Sequence, residues 1–441
     1  MSYSYVHTTS SVFRRGLRKQ LLRPYVKKYL YSLINGFTQK QFGYDTMERC
    51  ANSVEEFYVN LYDDEKLYVD SGGYSIIVGD VHPRDMSKFI SVYNYFLEKH
   101  PNIFYRIFSL DIPIFLKYPE HNNVKSLYSY NRTSCIRSKG ILDKNPALYD
   151  KYIFVYQFKI KKQFDLWNRV YNEVFEKEDR LRHFALGGMV GLRGQTNIKF
   201  SPFIVPSYKL LDIIAKKRHP QECTLHLLGV YGRHDRFAMI FMDKLFNEYY
   251  LKDNPTSIDI SYDTINYQMT GLYRIRENIF LGIPPFCINE QKIHTLPEEI
   301  MTHLEIIIPD NQKLREVIFD ETMRVNKGEN ISDTLLFSLT YVIYALTLDF
   351  MMKKIINENN LLDIFLNSSN YNSFKNNTIG LLKNAEKKYP KAIGNVVNNI
   401  MFNFQFLYAS HRIWEENKMD QIDNAIYTFI NHIGFPFDID S

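Results

Sequence analysis

Cysteine is scarce. Four residues, at positions 50, 135, 223 and 287, are scattered over 441. They are too few and too far apart for a disulfide framework, so a reducing cytoplasm is the expected setting. Glycine, at 19, is also low against 33 tyrosines and 32 phenylalanines. No apolar run reaches the ~20 residues that a membrane helix needs. The longest uncharged one, 334–348, contains Ser and Thr and reads as a buried helix. The N-terminus is polar. Arg14-Arg15 looks like a twin-arginine start, but no apolar stretch follows, so no signal peptide is expected. What remains is ordinary: 45% apolar and 23% charged residues, which excludes disorder and fibrous repeats. The length suits two or three domains, or one large barrel with an attachment. The surplus of Tyr, Phe, Asn, Lys and Ile hints at an A+T-rich genome.

Acid is missing from the start of the chain. Up to Tyr44 there are eight basic residues (Arg14, Arg15, Arg18, Lys19, Arg23, Lys27, Lys28 and Lys40) and no Asp or Glu. The formal charge of +5 therefore resides in this segment, and the remainder is net acidic. The i, i+4 spacing of Arg14/Arg18 and Arg15/Lys19 would gather them on neighbouring faces of a helix. Such a face is either simply solvated or an arm for a polyanion such as nucleic acid. Smaller basic clusters occur at Arg132, Arg137 and Lys139, and at Lys216, Lys217 and Arg218.

From about residue 58 to 270, β-type segments alternate with helix-type segments. Strands are expected at Lys66–Asp70, 103–111, 152–158, 183–188, 223–230 and 257–261. Amphipathic helices are expected after Pro83 (Met86, Phe89, Ile90, Tyr93, Leu97), through Trp167, Val170, Tyr171 and Val174, through Leu210, Leu211 and Ile214, and over 237–249. Repeated β-then-α units imply a parallel sheet, and six or more in this length fit a (β/α)8 barrel. Beyond about residue 290 the pattern becomes helical, over 310–325, 332–358, 371–388 and 393–433. The expected organisation is a basic N-terminal segment (1–57), a TIM barrel (58–290) and a helical C-terminal region (291–441).

Polar residues recur where the expected strands end: Asp70, Asp111, Gln157, Gly187-Gly188, Gly229 and Asp259. In a (β/α)8 barrel that rim is where active sites are built. A lone Asp after a strand is usually a cap or turn former, but the repetition points to a shared site. Asp70 opens Asp70-Ser71-Gly72-Gly73-Tyr74, whose glycines let backbone approach a flat ligand closely. Tyr74 and Leu228 are placed to cover its two faces. Asp111, Gln157 and the Gly187-Gly188 backbone suit the donor and acceptor edge of a purine. Asp70 and a second carboxylate across the barrel are the minimal equipment for retaining glycosyl transfer, one attacking the anomeric carbon and the other moving protons.

These motifs, DSGGY (70–74), SLD (109–111), Gln157 on a strand, ALGGMVG (185–191), LLGV (227–230) and a late strand-end Asp, resemble the tRNA-guanine transglycosylase superfamily over about residues 58–270. The resemblance implies roles. Asp70 would be the general acid/base, with Ser71 and Gly72 beside it at the base. Tyr74 and Leu228 would sandwich the base. Asp111, Gln157, Gly187 and Gly188 would recognise guanine and its 7-deaza replacement. The nucleophile would be the Asp ending the strand after LLGV, Asp259 or Asp263. Asp259 is preferred because SIDIS (257–261) mimics SLDIP (109–113).

The departures are also informative. The tRNA enzymes follow their nucleophile with a Pro-Thr-Arg-type segment, and this chain has Thr264-Ile265-Asn266-Tyr267. They carry a zinc site of Cys-x-Cys-x-x-Cys plus His, and the corresponding region here offers Cys287, His294 and His303, which is not a recognised structural zinc pattern. No metal and no cofactor is therefore expected to take part in the chemistry. This combination resembles the DNA-guanine transglycosylase (DpdA-type) branch, found in bacteria and phages, in which a 7-deazaguanine in DNA blocks restriction nucleases. The expected partners are DNA, free 7-deazaguanine as co-substrate and accessory modification proteins, with Arg14, Arg15, Arg18 and Lys19 as the nucleic-acid-binding arm. The competing readings are base exchange on tRNA, a non-catalytic paralogue acting as a nucleic-acid-binding subunit, and an unrelated barrel whose acids bind a metal. The presence of the expected acids argues against the paralogue, and the missing His cluster against the metal.

Overall fold

The computed structural model describes residues 4–8, 23, 25–36, 44–77, 79, 81–115, 117–158, 160–188, 200–230, 232–264, 288–289, 292–293, scattered positions in 301–320, and 334–433. Eight parallel strands close into a barrel: β1 (Ser4–Thr8), β2 (Lys28–Ser32), β3 (Lys66–Asp70), β4 (Arg106–Phe108), β5 (Tyr152–Gln157), β6 (His183–Gly187), β7 (Glu222–Leu228) and β8 (Ser257–Asp263). Ser4, Tyr5 and Val6 of β1 pair with Ser261, Tyr262 and Asp263 of β8 to complete the ring.

The longer helices, numbered in chain order, are α1 (Tyr44–Tyr58), α2 (Met86–Lys99), α3 (Val124–Lys144), α4 (Lys161–Val174), α5 (Ile204–Lys217) and α6 (Arg233–Leu245) around the barrel. Then come α7 (Thr334–Glu358), α8 (Leu361–Leu366), α9 (Tyr371–Lys388), α10 (Val397–Glu415) and α11 (Ile422–Ile433). The (β/α)8 expectation is met. The expected boundary at residue 58 is not, because β1 and β2 lie within 1–57 and are the first staves of the barrel. A basic stretch stands between them in the sequence in place of an amphipathic helix pattern, so no β-then-α repeat marked them.

Period-2 alternation sorts the strand residues into two cores. Val6, Leu30, Tyr68, Phe108, Ile153, Val155 and Ala185 form a cluster inside the barrel. Their neighbours along the strands, such as Tyr29, Leu67, Val69, Ile107, Phe154, Leu186 and Leu227, join the layer between strands and helices. On α2 the 3.6-residue period buries Met86, Phe89, Ile90, Tyr93 and Leu97, and on α4 it buries Trp167, Val170 and Tyr171.

The C-terminal helices share the outer core with α5 and α6: Phe365 and Phe404 pack on Phe241 of α6, and Phe374 packs on both of them. A buried polar network adds orientation. Arg236 Nη1 donates to Ala345 O (2.7 Å) and to Asp349 Oδ1 (2.5 Å), and Tyr262 Oη donates to Asp349 Oδ2 (2.7 Å). Asn403 Oδ1 accepts from Ser201 N–H (2.6 Å), and its Nδ2 donates to His234 O (3.0 Å). Helices α7 and α10 therefore brace β8, the loop before α5 and the start of α6. Among the described residues no helix is long and apolar enough to cross a membrane. The helix expected at 310–325 lies largely outside the described residues.

Candidate active site

Asp70 ends β3 with its side chain toward the barrel mouth. Gly72 N–H donates to Asp70 Oδ2 (3.1 Å), closing a tight turn. The turn needs glycine at Gly72, where φ is +97° and a Cβ would stand 2.9 Å from Ile34 Cβ. Enclosure by protein and the nearby charge of Asp263 push the Asp70 carboxyl up to about 6, against the Gly72 N–H hydrogen bond and the nearby polar groups of Ser32 and Ser71, which favour its anion.

Asp111 lies three residues past the end of β4, which stops at Phe108 rather than running to 111. Ser109 continues the pairing: its N–H donates to Ile153 O (2.7 Å), and its Oγ accepts from Val155 N–H (2.9 Å). Asn131 of α3 then takes over the backbone, accepting from Ile112 N–H (2.8 Å) and donating to Ile112 O (2.9 Å). Asp111 is thereby held next to Asp70. Ser71 Oγ donates to Asp111 Oδ1 (3.1 Å), and Gln157 Nε2 donates to Asp111 Oδ2. Burial and the charge of Asp70 raise the Asp111 carboxyl to about 7.

Gln157 ends β5 opposite Gly187 of β6. A Cβ on Gly187 would collide with the Gln157 amide, so glycine at this position leaves the amide room to take the orientation in which it reaches Asp111. Gly188 follows with φ +89°. Gln157 Oε1 is buried and lacks a hydrogen-bond partner among the described residues. A buried acceptor left unfilled beside a carboxyl group is uncommon in a finished core. It fits a site that waits for a ligand carrying N–H donors.

The expectation that Asp259 ends its strand is corrected by the strand's length. β8 continues to Asp263, which pairs in register with Leu228, whereas Asp259 pairs with Thr224 in the lower half of the barrel. There Asp259 Oδ2 accepts from Lys28 Nζ (2.7 Å) at the start of β2. Asp263 shares the strand-end level and raises the Asp70 carboxyl through its charge. Residues 257–261 resemble a strand that ends early because Ser261 is polar, but that serine points into the barrel with a partner of its own.

That partner is His226, which the sequence reading missed. Its ring is fully buried inside the barrel, near the rings of Phe108 (4.8 Å between centroids) and Tyr68 (6.3 Å). Nδ1 lies 2.9 Å from Ser261 Oγ and Nε2 lies 3.2 Å from Asp263 Oδ1. Gly229 N–H also donates to Asp263 Oδ1 (3.2 Å). The alternation of β7 carried the signal: Thr224, His226 and Leu228 share one face, and Leu228 is the pocket candidate. Leu228 is half-buried against the interior cluster.

The remaining expectations divide. The side chain of Tyr74 and residues 189–199 and 265–287 lie outside the described residues, as do Arg14, Arg15, Arg18, Lys19, His294 and His303. Of the same N-terminal stretch, Arg23 and Lys27 are paired with Asp64 (2.9 and 2.6 Å) and Lys28 with Asp259, so acids remote in sequence partly neutralise it. The two further basic clusters are also engaged. Arg132 pairs with Glu173 (2.8 Å), Lys139 with Asp143 (2.7 Å) and Lys216 with Asp212 (2.6 Å). Lys217 and Arg218 close the C-terminal end of α5, on the face opposite the site. Among the described residues no group of three His, Cys, Asp or Glu side chains could hold a metal ion.

No protein-family model and no curated protein matches this chain.

Proposed function

We propose that this chain is a DNA-guanine transglycosylase, exchanging guanine in DNA for a free 7-deazaguanine through a covalent aspartyl-glycosyl intermediate. The observation that carries the reading is the buried recognition set of Asp111, the unfilled Gln157 Oε1 and the glycine backbone of β6, set beside a carboxylate pair, Asp70 and Asp263. A guanine edge offers N–H groups to Asp111 and Gln157. The same edge is present on a 7-deazaguanine, so one pocket serves both the departing and the arriving base.

In this reading Asp263 attacks the anomeric carbon. The bond from Asp263 to C1′ forms as the C1′–N9 bond breaks, and Asp70 gives its proton to the departing guanine. The incoming base then attacks C1′, displaces Asp263 and loses its N9 proton to Asp70. A carboxyl raised to about 6 suits both transfers near neutral pH. Gly229 N–H and His226 steady the Asp263 carboxylate before it attacks and again as it is displaced.

The choice of DNA rests on the departures from the tRNA enzymes: Thr264-Ile265-Asn266-Tyr267 after β8, and Cys287 without companion cysteines nearby. A 7-deazaguanine in DNA would shield it from restriction nucleases, a role suited to a bacterial or phage modification system. Nucleosides from DNA and tRNA of cells with and without this gene, analysed by mass spectrometry, test it. A gene-dependent 7-deazaguanine deoxynucleoside is expected. A modified ribonucleoside alone would move the reading to tRNA, and neither would reject it.

A further inference from the structure

Helices of a (β/α)8 barrel begin on the rim that carries the strand ends. Helix N-termini favour acidic residues in their first turn, because the macrodipole is positive there. Helix α6 follows this rule with Asp235. Three neighbouring helices on the side of Asp70, Asp111 and Gln157 do not. The first turns of α2, α3 and α4 contain no acid, and they carry Lys88, Lys125, and Lys161 with Lys162. Arg84 precedes α2, and Lys117 sits in the loop before α3. Arg84 and Lys88 side chains are 78% and 61% exposed, and Lys117, Lys125 and Lys161 are exposed too. Asp85, the N-cap of α2, lies 3.7 Å from Arg84 Nε and 3.5 Å from Lys88 Nζ, and Glu120 lies 3.7 Å from His121 Nε2. Two acids thus offset part of this charge while the Arg84 and Lys88 side chains stay open to solvent. This placement costs local helix stability and concentrates positive potential on the sector of the rim next to the pocket.

Rings stand in the same sector. His82 lies 4.5 Å from Tyr118 and 5.9 Å from His121, centroid to centroid, and His82 and Tyr118 are partly exposed. The loop that carries Tyr118 is the one that begins at Asp111. Asn131 clamps it at Ile112. Asn122 clamps it at Phe115, accepting from the N–H (2.7 Å) and donating to the carbonyl (3.0 Å). Two buried amides thus fix the ring platform relative to the recognition carboxyl, within the ~25 Å that seven residues can span.

We propose that this sector, Arg84, Lys88, Lys117, Lys125 and the His82–Tyr118 ring pair, binds the single-stranded DNA flanking the extruded guanine. The cations hold phosphates, and the rings take an adjacent base face to face. Positive grooves with interleaved aromatic rings are how proteins hold single strands without reading their sequence. The inference rests on the proposed transglycosylase reading for the choice of DNA, and it places the DNA grip on the rim rather than on the N-terminal arm alone.

The test is the affinity of the full chain for a labelled 15-nucleotide single strand over a range of salt. Replacing Arg84, Lys88, Lys117 and Lys125 together with Ala should reduce the log–log salt slope by about 2 to 3, at about 0.7 per phosphate contact. Tyr118→Ala should weaken binding about tenfold with the slope retained. Replacing Lys139, Lys216 and Lys217, on other faces, should leave the slope unchanged. Melting curves confirm that each variant is folded. An unchanged slope in the quadruple variant overturns the inference. Base exchange with an unchanged slope would sink this surface and leave the transglycosylase reading intact. A rim-dependent slope without base exchange would do the reverse.

Discussion

His226 Nε2 sits 3.2 Å from Asp263 Oδ1, while Nδ1 of the same ring sits 2.9 Å from Ser261 Oγ. The tautomer that satisfies both neighbours has Nε2–H donating to Asp263 and Nδ1 accepting from the Ser261 hydroxyl. The ring is wedged beside Phe108 and Tyr68, so it holds the carboxylate in one rotamer. His226→Phe keeps the bulk and removes the hydrogen bond. The expected outcome is a 10- to 100-fold lower kcat for base exchange, with KM for the free base nearly unchanged and partial recovery in His226→Gln. An equal loss of base affinity would show that the ring merely fills space.

The two candidate nucleophiles separate cleanly by mutation. Asp263→Asn should abolish base exchange and leave the fold intact, because an amide cannot form the glycosyl ester. Asp259→Asn should keep its activity per folded molecule. It should melt at a lower temperature, because Lys28 loses the carboxylate 2.7 Å away and breaking such a half-buried pair costs about 3 kcal/mol. Trapping a denaturation-stable enzyme–DNA adduct in the Asp259 variant and none in the Asp263 variant is the direct check; the opposite pattern would restore Asp259.

Asp111 carries a pH signature. Its carboxyl is raised to about 7 in the folded chain and titrates near 4 when unfolded. The folded state therefore binds more protons between those values, and its stabilising proton is lost as pH rises from about 4 through 7. Asp111→Asn should melt higher than the wild type at pH 8, by an amount on the order of a few kcal/mol, and lose that advantage at pH 4. The same change should weaken calorimetric binding of a free 7-deazaguanine at least tenfold, since the base N–H groups lose their acceptor. A variant that melts no higher at pH 8 would mean the site already compensates the ionised acid.

The helical region is expected to be inseparable from the barrel. Asp349→Ala leaves Arg236 buried without its carboxylate and Tyr262 without its acceptor, a loss of about 3–5 kcal/mol. Thermal melting should show one transition, displaced downward for barrel and helices together. Two transitions, with the barrel's unmoved, would mean that the C-terminal helices are a separate folding unit.

Much of the barrel was legible because its strands from β3 onward are apolar runs bounded by turn residues, and because helix periodicity is local. Asp70, Asp111, Gln157 and Gly187 could be read as one group from their shared place at strand ends. β1 and β2 could not be read as staves. Short strands in a basic segment without a β-then-α repeat have no local signature, and only closure against β8 and β3 makes them strands. The choice between Asp259 and Asp263 was likewise not local. The two differ by four positions on one face of one strand, so sequence gives them the same orientation. Register against Leu228 and the arrival of Lys28 from β2 set their depths. The same holds for charge. The sequence by itself determined which residue types meet on each strand and helix face. Only the tertiary structure decided which cations are neutralised by distant acids and which crowd the rim, because ion pairing and desolvation depend on distance through space and not along the chain.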